Sequence, residues 1–269
     1  MLYLAQLLPI VVYFYILEVT DMYLDFTGTG GGFSTKLGNT GAYFKTFDRL
    51  VLIDCTEQTR VFLQNHSEVM EGVKFIDIIL THCHADHANF GNMLLWGPLV
   101  TGNPVRVIFP NKEKITWYIT EFLQQPSSMT SKDPEKRTDY WIVSAPYEVF
   151  GYDLTEYLAQ HGLHGLDGEL IPMEAYGYLI MWNDKRIYYS GDTEELPDEI
   201  VEEVKLGEID ALYVDCAINS PFRGHMSLSQ IEELFPERST RWYVIPMHLP
   251  DSADLQDLAK RGFHAARAR

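Results

Sequence analysis

Basic residues are scarce in this chain. Lysine and arginine together number 21 against 38 aspartates and glutamates, giving a formal net charge of -17. A surface of that sign repels phosphate polyanions, which argues against the broad basic footprint that binds duplex DNA or tRNA. A small anion held by bound cations is not excluded. Cysteine is scarcer still: Cys55, Cys83 and Cys216 are odd in number and widely spaced. That excludes a disulfide framework and suits free thiols in a reducing, cytoplasmic compartment. No internal repeat recurs and no low-complexity tract interrupts the chain, which sets aside solenoids and propellers.

What is present is apolar substance: 46% of the 269 residues are hydrophobic, ample for one sizeable core. The first 17 residues, MLYLAQLLPIVVYFYIL, are uncharged and approach the length of a bilayer span, but they lack the positive n-region and the cleavage site of a secretory signal. Residues 1–21 are therefore read as an apolar extension: a membrane anchor, a packing arm, or translation from a start upstream of Met22, the last favoured. Residues 22–269 are read as one domain.

From Tyr23 the pattern is strand, glycine-rich turn, strand, strand, ending in RLVLIDC. A helix is predicted over Glu57–Met70 and a buried strand over Phe75–Leu80. Another helix follows over Lys112–Gln125, and then a polar stretch over Pro126–Arg137 that suits an exposed insertion. The second half is predicted to hold strands over Trp141–Val143, Tyr152–Gln160, Tyr176–Trp182, Arg186–Ser190, Ala211–Asp215 and Tyr243–Met247. Helices are predicted over Pro197–Lys205 and Ser227–Leu234. Two sheets between layers of helices, an α/β sandwich of four layers, fit this order.

The densest chemistry is Thr81-His82-Cys83-His84-Ala85-Asp86-His87, which follows the Phe75–Leu80 strand directly. Three imidazoles and a carboxylate in so short a stretch need compensation if they are buried. A tight turn can aim His82 and His84 at one metal and Asp86 and His87 at a second, a nitrogen and oxygen set that suits zinc. Asp54 closes the strand VLID; it could orient a ligand histidine, or serve as an ordinary turn residue.

The pattern His-x-His-x-Asp-His after an apolar strand resembles the signature of the metallo-β-lactamase superfamily. The resemblance implies the αββα sandwich and two divalent metal ions, zinc first and manganese second. It also implies further ligands in the second half: Asp192 in Tyr189-Ser190-Gly191-Asp192-Thr193 as a bridging carboxylate, and His248 after the strand ending in Ile245-Pro246-Met247. One more histidine should come from His161 or His164. Alternation along Thr155, Tyr157 and Ala159 carries a strand face to His161 and leaves His164 in the following loop, so His161 is preferred.

Phe26-Thr27-Gly28-Thr29-Gly30-Gly31 and Gly224-His225-Met226-Ser227-Leu228 resemble the ribonuclease Z branch, which cleaves phosphodiesters. In that branch the histidine corresponding to His225 lies beside the scissile phosphate, which implies a proton donor or phosphate contact; a local role at a helix start is the alternative. A basic arm for gripping tRNA is absent from the sequence, so a small phosphodiester such as a cyclic nucleotide is the expected substrate and RNA the second choice. Some phage-encoded members of the branch are similar in being compact, armless and active on cyclic nucleotides. The expected mechanism places two metals about 3.5–4 Å apart to activate water for in-line attack, with Asp86 holding the water and His225 assisting the leaving oxygen. Hydrolysis of a lactone, thioester or β-lactam uses the same metal pair, and a ligand-binding module without turnover is a third reading. Neither membrane nor extended nucleic acid is expected as a partner, and a homodimer is compatible with the sequence.

Overall fold

The computed structural model describes residues 23–125, 141–143, 147–149, 152–164, 170–218 and 224–268. The apolar segment 1–21 and the polar stretch 126–137 lie outside these. Among the described residues no helix is long and apolar enough to cross a membrane, and all three cysteines are unpaired.

Two six-stranded sheets dominate. The first runs β1 (Asp25–Gly28), β2 (Gly41–Thr46), β3 (Arg49–Ile53), β4 (Phe75–Ile79), β5 (Val105–Ile108) and β6 (Trp141–Val143) in that spatial order. The second runs β14 (Val244–Met247), β13 (Ala211–Asp215), β12 (Lys185–Tyr189), β11 (Tyr176–Trp182), β8 (Tyr152–Leu158) and β7 (Tyr147–Val149). Each sheet starts as an antiparallel meander and ends in parallel strands: β3, β4, β5 and β6 in one, β12, β13 and β14 in the other. A short pair, β9 (His161–His164) with β10 (Leu170–Met173), stands apart.

The parallel strands are mostly apolar on both faces because each face has its own core to fill. In β3, Leu50 and Leu52 join a cluster that also contains Leu63 of α1 (Glu57–Asn65) and Met93 of α3 (Gly91–Trp96), whereas Val51 and Ile53 face the other sheet. In β13, Ala211 and Tyr213 meet that same inter-sheet layer, and Leu212 and Val214 pack with Val204 of α5 (Asp198–Leu206) and Ile231 of α6 (Leu228–Leu234). Side chains of period two thus build three apolar layers between four layers of secondary structure, the expected αββα sandwich.

Several predicted elements end earlier than the sequence suggested. The helix over Glu57–Met70 stops at Asn65 and continues as a 3₁₀ turn over Ser67–Met70. The one over Lys112–Gln125 widens after Trp117, the end of α4 (Lys112–Trp117). The strand over Tyr152–Gln160 ends at Leu158, so His161 opens a new strand instead of continuing an alternating face. His164 sits within that strand and not in a loop; its side chain is outside the described residues.

Candidate active site

The parallel strands deliver the site. Asp54 follows β3, His82 and His84 follow β4, Asp192 follows β12, Asp215 ends β13 and His248 follows β14, so all lie at strand C-terminal ends, where layered α/β proteins open their crevices. Beyond β4 the chain turns into α2 (Ala85–Ala88), which carries Asp86 and His87. Gly191 takes φ +59, and a Cβ there would come within 2.8 Å of Thr81. Only glycine lets the Ser-Gly-Asp-Thr turn close down on the histidine segment.

Four groups of donors converge: His82, His84 and His161; Asp86, His87 and His248; His82, His87 and Asp192; and Asp192, Asp215, His225 and His248. Within each, the ligand atoms lie within 4.8 Å of one another. Asp192 shares a group with His82 and His87 as well as with His248, so its carboxylate stands between the two ends of the cluster.

The hydrogen bonds at the backs of the rings fix which nitrogen carries a proton. His161 Nδ1 lies 2.8 Å from the Gly224 carbonyl, which can only accept, so Nδ1–H donates and Nε2 is bare. The Thr81 hydroxyl donates to Asp54, so it accepts from His82 Nδ1 at 2.9 Å and leaves His82 Nε2 bare. Both bare nitrogens face His84 Nδ1, at 3.0 Å from His82 and 3.1 Å from His161. His87 Nδ1 donates to Asp54 Oδ2 at 2.8 Å, and His87 Nε2, buried without a hydrogen-bond partner, lies 3.4 Å from both Asp86 Oδ2 and Asp192 Oδ2. His248 Nε2 is likewise buried and without a partner, 3.5 Å from Asp192 Oδ2.

Lone pairs meeting lone pairs and carboxylates at these distances repel unless a proton or a metal cation lies among them. The donors are imidazole nitrogen and carboxylate oxygen, the set that takes zinc or a similar divalent ion. The residues therefore fit two metal ions: His82, His84 and His161 around one position, Asp86, His87 and His248 around the other, with Asp192 reaching both.

Electrostatics follow the same division. Burial holds His82 well below the ordinary histidine range, with the neighbouring His87 adding to the shift, and lowers His84 to about 4. Burial opposes charge on His87 as well, but Asp192 and Asp54 outweigh it and raise that ring well above the usual range. Burial opposes charge on Asp86 too, yet His248 and His87 hold its carboxyl low. Negative charge that would hold protons on the His87 side would equally hold a dication.

Behind these groups stand two buried carboxylates. Asp54 accepts from the Thr81 backbone N–H at 2.8 Å as well as from His87 and the Thr81 hydroxyl. It thereby orients a site histidine, the role the sequence had left open against an ordinary turn. Asp215 stands in the sequence only as the end of a strand. It accepts from the Thr193 backbone N–H at 3.0 Å and from His225 Nδ1–H at 2.8 Å, and its other oxygen lies 3.4 Å from His248 Nδ1. Its only sequence signal is an acidic residue closing an otherwise apolar strand, as Asp54 does in the first half.

His225 stacks on His248 with ring centroids 4.9 Å apart and keeps a side-chain exposure of 20%, unlike the deeply buried histidines. The capping of α6 is done by Ser227, which accepts from the Gln230 N–H while the Gln230 side chain returns to the Ser227 N–H. His225 is thus not the helix cap.

Comparison with known proteins adds to this geometry. The family described as anti-Pycsar protein Apyc1 matches residues 22–266. The chain belongs to this family. No curated protein matched the sequence. Among solved structures, a diphosphatase from the PhnP family is similar with a TM-score of 0.66 at 19% identity, covering 91% of this chain and 94% of that one. Zn(2+)-bound PqqB from Methylobacterium extorquens is similar with a TM-score of 0.65 at 13% identity, covering 91% and 97%. The short form of human tRNase Z has a TM-score of 0.56 at 16% identity, covering 91% and 96%. The fold is that of the metallo-β-lactamase superfamily.

Proposed function

We propose that the protein is a two-metal hydrolase acting on a small phosphodiester, with a cyclic nucleotide as the substrate class. The observation that carries this reading is the convergence of bare, back-anchored imidazole nitrogens with the carboxylates of Asp86 and Asp192, beside a partly exposed His225 fixed by Asp215. The anti-Pycsar family and the likeness to a diphosphatase and to a tRNase Z support a phosphate-centred chemistry. The net charge of -17 favours a small anion over a polynucleotide. RNA remains the second substrate class.

Two divalent ions, zinc before manganese, would supply Lewis acidity toward a phosphoryl oxygen and lower the pKa of a bound water. His82, His84 and His161 would hold one and Asp86, His87 and His248 the other, with Asp192 between. Asp86, half-buried where the other acids are sealed, accepts a hydrogen bond from the attacking water and orients it. His225 commits Nδ1–H to Asp215 and offers Nε2 to the leaving oxygen, which needs a proton as the P–O bond breaks. Asp215 keeps that ring in register with His248.

The test is turnover by the purified full chain of 3′,5′-cyclic nucleotides and bis-p-nitrophenyl phosphate against a chromogenic ester, a lactone and a β-lactam. Metal content is measured in the same samples. Chelator-sensitive phosphodiester cleavage with near two equivalents of metal supports the reading. Ester or lactam cleavage alone moves the protein to carbonyl chemistry, and metal without any turnover marks a binding module.

A further inference from the structure

The glycine-rich segment after β1 approaches the centre so closely that a Cβ there would crowd it. A Cβ on Gly31 would lie 3.1 Å from His248 Cε1, and one on Gly32 would lie 2.7 Å from Asp86 Oδ2. The backbone thus passes directly over the Asp86, His87 and His248 end of the cluster. The next residue is Phe33, one Cα step of about 3.8 Å farther on, and its side chain is fully exposed.

The turn that carries Phe33 is firmly tied. Ser34 N–H donates to the Gly31 carbonyl at 2.8 Å, closing a tight turn with Gly32 and Phe33 at its tip. Before it, Gly31 N–H reaches the Leu249 carbonyl at 3.3 Å and Leu249 N–H the Thr29 carbonyl at 2.8 Å, pinning the loop to the residue after His248. After it, Asp251 accepts from the Ser34 hydroxyl, from Thr35 N–H at 3.0 Å, from the Thr35 hydroxyl at 2.9 Å and from Lys36 N–H at 3.2 Å. An anchored turn thus holds a large apolar ring in water, one residue beyond the glycine backbone that meets Asp86, and among the described residues nothing covers it. Such a ring gains most by covering a flat, apolar face of whatever the centre binds.

We propose that Phe33 is a specificity-determining platform on which the aromatic base of a nucleotide substrate stacks while its phosphate sits at the metal-ligand cluster. A nucleotide places base and phosphate on opposite sides of one ribose, which matches a platform at the rim and an anion site beneath the glycines. The inference rests on the phosphodiester reading and narrows it to nucleotides. Stacking is indifferent to the identity of the base, so Phe33 would select for a base without choosing one.

The test pairs two measurements. In the first, Phe33→Ala, Phe33→Leu and Phe33→Tyr are assayed on a 3′,5′-cyclic nucleotide and on glycerol 1,2-cyclic phosphate, which has no ring to stack. Phe33→Ala and Phe33→Leu are expected to raise KM for the nucleotide on the order of 10- to 100-fold with kcat little changed; Phe33→Tyr should retain wild-type KM, and the glycerol ester should not respond. In the second, fluorescence of Phe33→Trp is titrated with AMP and with ribose 5-phosphate; AMP alone should quench the added indole. Equal effects on both substrates, or no quenching by AMP, would overturn the role of Phe33. Quenching by AMP in a protein that hydrolyses no phosphodiester would leave the platform standing and remove the phosphodiesterase reading, so the two failures are distinguishable.

Discussion

Replacing Asp54 by asparagine tests whether the rings are oriented from behind as the hydrogen bonds imply. The side chain is fully buried with φ +57, a conformation that asparagine tolerates nearly as well as aspartate, so shape and backbone are kept. The amide oxygen can still accept from the Thr81 N–H and hydroxyl, now bonded to Asp54 Oδ1 at 2.8 and 3.0 Å. The amide nitrogen must then take the place of Oδ2, which accepts from His87 Nδ1 at 2.8 Å. An N–H facing an N–H is untenable, so His87 gives up its Nδ1 proton and carries it on Nε2, the atom that faces Asp86 and Asp192. One charge-assisted hydrogen bond is lost, worth about 1.5–3 kcal/mol, and the ligand nitrogen is blocked. Expected is a loss of metal affinity on the order of 10- to 100-fold at one of two sites, measured by competition with a chromophoric chelator. Metal-free stability should fall by no more than that hydrogen bond is worth. Unchanged affinity at both sites, or an equal loss at both that merely tracks the metal-free melting temperature, would refute the assignment of Asp54 as the orienting partner of His87.

Two other features lend themselves to direct test. Asp77 is fully buried between the sheets and is satisfied by Arg106 through Nε at 2.6 Å and Nη2, by the Tyr152 hydroxyl at 3.0 Å and by Arg49 at 3.5 Å. Arg106→Ala should destabilise the chain by about 3 kcal/mol by denaturant unfolding, and replacing both partners with apolar residues should cost less than the single change; an additive double variant would contradict this. The Ser34 hydroxyl, with Thr35 and the neighbouring backbone N–H groups, holds the Asp251 carboxyl below the usual carboxylate range. Its contribution is therefore complete above the unfolded carboxylate value of about 4 and fades as pH falls through the lower folded value. Asp251→Asn should lower the melting temperature at neutral pH and converge on the wild type in acid, whereas a constant gap across pH would exclude the charge as the cause.

Much of the fold is legible in sequence where one residue has one job. Leu50 to Ile53 and Ala211 to Val214 read as buried strands because every position faces a core. The turn residues around them are equally plain. Boundaries are less legible where two tendencies compete: Glu57–Met70 has helical composition throughout, but tertiary packing turns the chain at His66, and Tyr152–Gln160 alternates regularly although the hydrogen-bond ladder ends at Leu158. The parallel strand Val105–Ile108 is not legible in sequence because a run of four residues, three apolar and one arginine, is too short to show a period that distinguishes strand from helix.

The site divides along the same line. His82, His84, Asp86 and His87 fall within one turn, so their density alone marks them, and the structure brings them together with His161, Asp192, His225 and His248. Asp215 is different in kind. An aspartate closing an apolar strand is ordinary in sequence, and its meaning comes only from His225, Thr193 and His248, which reach it from three separate segments. Phe33 is a harder case, since nothing in FTGTGGGFST separates a ring that packs from a ring that waits. What separates them is the absence of a Cβ at Gly31 and Gly32, which sets the backbone against Asp86 and His248, together with the acid at position 251 that ties the far side of the turn. Residues that act by direct contact with a dense cluster announce themselves in sequence. Those that act by holding others, or by being held, acquire their function only from the distances that folding sets.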